Sequence, residues 1–514
     1  MSESESFPYP DLLDGHAYHP AVSEVRICET HISWVVLAGE FAYKIKKPIA
    51  TPFLDYRTLE LRKEQCQKEL ECNREHASDL YVDVVAVVRE GRRYRFSSVD
   101  AKGASVVDYA VRMHRFPDRA LLKTMLEDGK LHEGYVLQFA ESLANIHMQA
   151  PMASATDPWA RPDRLLADAM ENFVELRALL KRRSLEQVES LAAWTQQRYL
   201  ELHVHFQARR LNGNVRACHG DLHLGNLVLY RERVTLFDAI EFNESFRWID
   251  TANDLAFVWM DLAYHGRSDL ANQFLNRYLE CTGDYSLVPI LKWYGVYRAM
   301  VRAKVAAIRA EQATDHSEKD RMWLEATEHL RLGEWFAKES QVGVVLTGGL
   351  SGSGKTYGTH GVLGLEGVLR IRSDVERKRL FPTSIATEDA AIDSGVYDSA
   401  STETTYHQLL ESAQAILEGG FWVVVDATFL QRKQRNPFVS LAKQEHVPCY
   451  MVWFDVSEEE RADRIQQRRL AGEDASDATM EVVAWQRTRC ELPAAEEGFL
   501  MIVPSELDRI FASG

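Results

Sequence analysis

The sequence predicts an α+β half built of two lobes, followed by an α/β half with a doubly wound, mainly parallel sheet. Three observations carry this. Short alternating runs crowd residues 25–113, as in HISWVVLA, FAYKIKK and VVDYAVRM, which is the period of a small antiparallel sheet. From about 118 to 212 and from 250 to 335, apolar positions recur at helical spacing. After GVVLTGGLSGSGKT, strand-like runs (VLRIRS, FWVVVDA, CYMVWFDV) alternate with helical stretches, the pattern of a parallel sheet covered on both faces. The clearest boundary lies near 336–342. Domains are therefore expected at 1–340, with a β-rich lobe over 25–113 and a helical lobe over 114–340, and at 341–514.

Composition narrows the function classes. Of 514 residues, 46% are hydrophobic and 26% charged, which excludes a disordered chain, a collagen-like repeat and a small disulfide scaffold. No apolar run approaches the roughly 18 residues of a membrane span. The opening MSESESFPYPDLLDG has neither the basic nor the apolar region of a secretion signal, so a cytoplasmic location is expected. Cys28, Cys66, Cys72, Cys218, Cys281, Cys449 and Cys490 form no CxxC pair, as in a chain of reduced thiols. A net charge of −16 disfavours non-specific binding to nucleic acid or to an anionic membrane.

In the β-rich lobe the stretch TLELRKEQCQKELECNREH interrupts the strands as a helix. Lys44 and Lys46 share one face of the strand before it. A family resemblance carried by residues 219–238 implies a strand lysine that pairs with a helix acid and holds the α- and β-phosphates of a nucleotide. Ala42 stands two residues before Lys44 and makes an A-x-K pattern, so Lys44 is preferred, with Glu69 as its partner. Gly39 stands alone where a G-x-G-x-x-G loop is sought, and that loop is absent.

The next informative stretch is His219-Gly220-Asp221-Leu222-His223-Leu224-Gly225-Asn226. Its Asp-to-Asn separation of five is that of the catalytic loop H-R-D-x-x-x-x-N. Asp221 is expected to accept the proton of a substrate hydroxyl, and Asn226 to help hold a metal ion. The run VTLF leads to Asp238, twelve residues after Asn226, a spacing that lets a short hairpin return a second carboxylate to the same ion. His219 and His223 lack the third ligand of a zinc-type site and are read as hydrogen-bonding supports. Glu241, just beyond Asp238, is a further candidate, as are Arg298 and Arg302. This set resembles the aminoglycoside phosphotransferase and choline kinase family, a branch of the protein-kinase-like fold in which HRD is written HGD. The resemblance covers roughly 25–335 in organisation, and its specific motif is about twenty residues long. It implies a bilobal protein-kinase-like domain, with Asp221 as base and Asn226 and Asp238 as Mg²⁺ ligands.

The C-terminal half opens with Gly349-Leu350-Ser351-Gly352-Ser353-Gly354-Lys355-Thr356, which fits GxxxxGK[ST] at every fixed position. Such glycines let backbone N–H groups converge on phosphate oxygens, and the next helix turns its positive end toward them. Lys355 is expected at the β- and γ-phosphates, with the Thr356 hydroxyl on Mg²⁺. Gly358, Gly361, Gly364 and Gly367 weaken the helix that should follow. The strand Phe421 to Val425 ends at Asp426, where a Walker-B acid holds Mg²⁺ or its waters. Ser373-Asp374-Val375-Glu376 fits an S-x-x-E capping box, and Asp374 would then sit at the mouth of the sheet, able to take a proton from an attacking hydroxyl. Arg461, Arg464 and Arg468 share a helical face, either as a solvated basic surface or as a lid over the transferring group.

Over roughly 342–512 this half resembles the small P-loop kinases related to gluconate kinase, zeta toxins and polynucleotide kinase. The resemblance implies Asp374 as the acceptor-side acid and Arg464 and Arg468 as lid arginines. The combined chain resembles bacterial fusions of a phosphotransferase-like kinase domain with a small P-loop kinase. The expectation is a phosphotransferase with two nucleotide sites, using Mg²⁺ and ATP and moving the γ-phosphoryl group to a hydroxyl, foremost of a small molecule. Two alternatives stand beside it. The C-terminal domain could act on nucleic-acid ends, or the N-terminal half could be a non-catalytic regulatory module. The sequence assigns no oligomeric state.

Overall fold

The computed structural model describes residues 7–18, 20–51, 54–100, 105–154, 156–180, 184–382, 399–471 and 479–511, leaving aside the side chains of 160, 399 and 468–471. In the N-terminal part, β1 (Val25–Glu29), β2 (Ser33–Ala38) and β3 (Phe41–Lys46) run as an antiparallel meander, with Gly39-Glu40 as the tight β2–β3 turn. A short pair, β4 (Ala50–Thr51) and β5 (Leu54–Asp55), leads into α1 (Leu59–Ala77), which Thr58 caps by accepting the Leu61 N–H at 3.3 Å. Then β6 (Tyr81–Glu90), β7 (Arg93–Ser98) and β8 (Ser105–His114) complete a six-stranded antiparallel sheet in the order β1-β2-β3-β8-β6-β7. Alternation along these strands sends Ala42, Val84, Ala86 and Val111 to one face with Cys66 of α1. It sends Trp34, Val36, Tyr43, Ile45 and Val87 to the other.

Helices follow, as the 3.6-residue pattern predicts: α2 (Leu122–Glu127), α3 (Glu133–Gln149), α4 (Pro162–Leu180) and α5 (Leu185–Leu211). The segment with the HGD motif lies between β9 (Val215–Ala217) and a hairpin of β10 (Leu227–Tyr230) with β11 (Arg233–Leu236). After α6 (Glu244–Arg247), β12 (Trp248–Asp250) pairs back onto β9. Four more helices run to the boundary region: α7 (Thr251–Tyr264), α8 (Ser268–Thr282), α9 (Val288–Gln312) and α10 (His316–Ala337).

The remainder alternates: β13 (Val344–Gly348), α11 (Lys355–Gly358), β14 (Val368–Arg372), α12 (Ser373–Leu380), α13 (Ser399–Glu418), β15 (Trp422–Asp426), α14 (Arg432–Gln444), β16 (Cys449–Trp453), α15 (Glu458–Ala471), α16 (Met480–Thr488), β17 (Leu500–Ile502) and α17 (Leu507–Phe511). Five of these strands form one wholly parallel sheet in the order β14-β15-β13-β16-β17. Every residue of β13 and β15 is buried, because helices cover both faces. Two local expectations are corrected. The helix after the glycine-rich loop is a single turn, consistent with its run of glycines. No capping box closes α12: β14 runs straight into it, so Ser373 is the first helical residue behind an extended Arg372, no side chain caps the end, and Glu376 pairs with Arg379.

By compactness the chain forms two units. One unit comprises 1–139, 149–160 and 213–258; the other comprises 140–148, 161–212 and 259–514. Within the second unit the reason is visible: α8 and α9 bond to the parallel sheet. Asn272 Nδ2 donates to the Val368 carbonyl at 2.8 Å, and Lys292 Nζ to the Gly420 carbonyl at 3.0 Å. Among the described residues no helix is long and apolar enough to cross a membrane, and the seven cysteines are free thiols.

Candidate active sites

In the first unit, β3 turns Lys44 and Lys46 inward and α1 brings Glu69 between them. Glu69 is fully buried, with Lys44 Nζ at 2.9 Å from Oε1 and Lys46 Nζ at 2.7 Å from Oε2. Lys44 also pairs with Asp238, and Lys46 with Glu241, whose Oε1 accepts the Tyr56 hydroxyl at 3.0 Å. Burial alone would raise the Glu69 pKa, but the two ammonium groups outweigh it and hold it down at about 2. Burial likewise works against the charge on Lys44; Asp238 and Glu69 overcome it and push the pKa up. The preferred lysine thus meets its expected acid, and Lys46 joins it as a second partner. Asn73 ties this cluster to the next segment: it donates to the Glu69 carbonyl at 2.9 Å and accepts the Ala239 N–H at 2.9 Å. Sequence reasoning passed over Asn73, although a polar residue one turn after Glu69 on a buried helix face was a usable signal.

The HGD segment is held from several sides. Asp254 accepts the N–H groups of His219 at 3.1 Å and Gly220 at 2.9 Å. His219 donates from Nε2 to the Phe237 carbonyl at 2.9 Å and accepts the Asp221 N–H on Nδ1 at 3.3 Å, which fixes its tautomer. Burial lowers its pKa, so it stays neutral as a support. Gly220 has φ +89°, and a Cβ there would lie 2.5 Å from the Phe246 carbonyl oxygen, so no other residue fits. Asn226 Nδ2 donates to the Asp221 carbonyl at 2.9 Å and to its carboxylate at 3.2 Å. The β10–β11 hairpin then returns the chain: Phe237 N–H bonds the Asn226 carbonyl at 3.1 Å, and Asp238 follows.

In the second unit a cavity of about 360 Å³ is lined by Lys355, Thr356, Asp374, Asp426 and Arg464, together with loop residues 351, 352 and 354. Gly349 has φ +131°, and a Cβ would meet the Phe454 carbonyl oxygen at 2.2 Å. Lys355 Nζ reaches the Gly349 and Leu350 carbonyls at 2.9 and 3.0 Å, folding back along the loop. Thr356 Oγ1 donates to Asp426 Oδ2 at 2.8 Å. Arg377 approaches Asp374 at 3.3 Å. Of the three helix arginines, Arg464 lines the cavity and bonds the Ser353 carbonyl at 3.0 Å. Arg461 is buried and turned inward onto Asp455 and the Val456 carbonyl, both at 3.1 Å. The side chain of Arg468 lies outside the described residues. Two neighbours were not anticipated. Gln486 clamps Ser351, accepting its N–H and donating to its hydroxyl, each at 2.9 Å. Arg372 lines the cavity beside Asp374. The oxygen donors of Thr356 with Asp426, and of Asn226 with Asp238, are the hard ligand types that suit Mg²⁺.

Comparison with known proteins agrees with this division of labour. Residues 60–289 match the model described as the phosphotransferase enzyme family, and residues 344–493 match one described as an AAA domain. Over 470 residues, 91% of this chain and 90% of the relative, the chain is 31% identical to an uncharacterized protein of Mycobacterium tuberculosis, and equally to one of Mycobacterium bovis. The fold is also similar to the solved ethanolamine kinase of Plasmodium vivax, with 13% identity over 60% of this chain and 81% of that one at a TM-score of 0.37. The assignment rests on the family models and the relatives aligned across both of them: the chain belongs to the family of bacterial proteins that join an aminoglycoside-phosphotransferase-like domain to a small P-loop kinase-like domain, and its chemistry is nucleotide-dependent phosphotransfer.

Proposed function

We propose that the protein is an Mg²⁺- and ATP-dependent kinase with two nucleotide sites, each moving the γ-phosphoryl group to a hydroxyl, foremost of a small molecule. The observation that carries this reading is the convergence of Lys355 and Thr356, Asp374, Asp426 and Arg464, from four separate segments, on one cavity. In that site the loop N–H groups and Lys355 bind the phosphates. Asp374 takes the proton of the acceptor hydroxyl as its oxygen bonds to phosphorus and the bond to ADP breaks. Arg464 stabilises the charge on the transferring group. In the N-terminal site Lys44, aimed by Glu69, binds the α- and β-phosphates. Asp221, oriented by Asn226, takes the proton. Thr356 with Asp426, and Asn226 with Asp238, would hold Mg²⁺, which when bound neutralises phosphate charge. The reading takes 1–340 and 341–514 as the two kinase domains, acting in the cytoplasm.

The test is Mg²⁺-dependent ADP release against a library of hydroxyl metabolites that also contains a 5′-hydroxyl oligonucleotide. An acceptor is expected to raise turnover, and either Asp221→Asn or Asp374→Asn to lower that turnover about 10²–10⁴-fold. If ATP binds yet no acceptor beats water, the reading fails. A second reading, in which the N-terminal half regulates without catalysis, is favoured by the missing glycine-rich loop and by the direct pairing of Lys44 with Asp238. Nucleotide binding separates the two. Binding that survives Lys355→Ala and is lost when Asp238→Ala is added supports two sites; complete loss with Lys355→Ala alone supports the regulatory module.

A further inference from the structure

Helix α8 and strand β14 meet in a repeating register. Asn272, Asn276 and Glu280 recur every four residues along one face of the helix. Val368, Arg370 and Arg372 recur every two along the strand. Those steps advance about 6 Å and about 6.6 Å respectively, so the two rows stay matched over three rungs. At the first rung Asn272 Nδ2 donates to the Val368 carbonyl at 2.8 Å. At the second, Asn276 donates to the same carbonyl at 3.0 Å and accepts the Arg370 N–H at 2.9 Å. β14 is an edge strand, so these backbone groups face away from the rest of the sheet. The third rung changes character. It joins two side chains, with Arg372 Nη1 donating to Glu280 Oε1 at 2.9 Å.

That last rung ends in the cavity. Arg372 lines it, sits opposite Asp426 in the β14–β15 register with Nε 4.0 Å from Oδ2, and precedes Asp374 by two residues. It therefore lies beside Asp426 of the Thr356–Asp426 corner and shares the cavity with the acceptor-side carboxylate, within reach of a phosphoryl group in transfer. A guanidinium at that place stabilises the charge that spreads over the group's oxygens. Arginine carries a long, rotamer-rich side chain, and its aim has to be imposed. Glu280 imposes it: its Oε2 is engaged by Arg277 at 3.5 Å, and the Arg372 and Glu280 side chains are only 15% and 18% exposed.

We infer that Arg372 is a further catalytic residue of the C-terminal site, and that Glu280 is its positioning residue, supplied by a helix of the phosphotransferase-like stretch. The inference rests on the phosphoryl-transfer reading of that cavity and adds that one half of the chain completes the active site of the other.

The experiment uses ADP with aluminium fluoride, a probe that imitates the group in transfer and needs no acceptor. The dissociation constant of ADP is measured with and without fluoride in the full chain carrying Asp238→Ala, which silences the N-terminal site. Fluoride is expected to tighten ADP at least tenfold. Arg372→Ala keeps ADP affinity within threefold and loses that tightening, and Arg372→Lys recovers part of it. Glu280→Gln loses about threefold to tenfold of the tightening, and the double variant Glu280→Gln with Arg372→Ala is no worse than Arg372→Ala alone. A purely structural role for Glu280 would weaken ADP with and without fluoride equally, lower the melting temperature and add to the arginine loss; that pattern overturns the inference. So does undiminished tightening in Arg372→Ala, or no tightening in the parent. Lys355→Ala serves as the control on the underlying reading: if it binds ADP as tightly as the parent, the cavity is not the nucleotide site and both fall.

Discussion

Gly220 illustrates what single residues decide here. The His-Gly-Asp spelling is readable as a motif, but its cause is a packing fact: the chain turns with φ +89° against the Phe246 carbonyl, 2.5 Å from where a Cβ would stand. Gly220→Ala is expected to cost about 2–3 kcal/mol, combining left-handed strain with overpacking, and to lower turnover at the N-terminal site, since Asp221 is the next residue. Urea unfolding of the two chains measures it; a loss under about 0.5 kcal/mol would mean the turn can relax. The same contrast separates the site residues that were legible from those that were not. Lys355, Thr356, Asp221 and Asn226 follow from short spacings, because phosphate and proton chemistry fix residue types within a few positions. Asp374, Asp426 and Arg464 needed the extra step of placing strand ends and a helix face. Gln486 reaches Ser351 across 135 residues of sequence, and Glu280 reaches Arg372 across 92. No local pattern announces contacts that only tertiary packing makes.

Elements were read well where period dominates and poorly where ends are set by neighbours. The runs HISWVVLA, FAYKIKK and VVDYAVRM became β2, β3 and β8 of the N-terminal sheet through their alternation, and the helices after it followed from the 3.6-residue stripe. The Ser373–Glu376 capping box failed because β14 passes directly into α12, so the helix begins one residue earlier than the motif requires. A titratable ring buried between helices was also invisible to periodicity. His329 on α10 is fully buried, stacks on Tyr264 of α7 at 3.9 Å and 13°, and donates from Nδ1 to the Glu325 carbonyl at 2.9 Å. Burial, with Arg302 and His265 adding to it against the Glu325 carbonyl and Asp261, lowers its pKa to about 4. The unfolded chain, with an ordinary histidine value near 6.5, binds the proton more readily. The contribution to stability is therefore fully present above about pH 6.5 and is lost as the pH falls toward 4. Between pH 7 and pH 4.5 this single ring should account for about 2.5 kcal/mol. His329→Phe keeps the stacking and removes the titration, so its unfolding free energy should fall by about that much less over the same interval. Equal losses in the two chains would show that the ring is not the group responding.

At the scale of the whole molecule, the element pattern changes near 340, and the compact unit that holds the parallel sheet also holds α8, α9 and α10. Periodicity marks 340 because the element pattern changes there, and periodicity carries no information about which surface each helix covers. In this unit the edge of β14 is covered, with Asn272 and Asn276 satisfying the Val368 carbonyl and the Arg370 N–H; where α13 leads into β15, Lys292 bonds the Gly420 carbonyl and Arg198 reaches the Glu418 carbonyl at 3.4 Å. A chain of residues 341–514 keeps every motif of a P-loop kinase and loses all of these partners. Truncation uncovers this edge, and an uncovered strand edge is a template for association between chains. Each hydrogen bond exchanged for one with water costs about 0.5–1.5 kcal/mol, which together is a sizeable share of the roughly 5–15 kcal/mol that a domain has in total. The expected outcome is that 341–514 aggregates or unfolds without a cooperative transition, whereas the full chain binds ADP through Lys355. In the full chain, ADP should slow hydrogen exchange in α8 as well as in the glycine-rich loop, because a ligand that stabilises a cooperative unit protects all of it. An isolated 341–514 that melts cooperatively and holds ADP as tightly as the full chain would show that α8 merely rests on the sheet, and that the border drawn by the element pattern is also the border of stability.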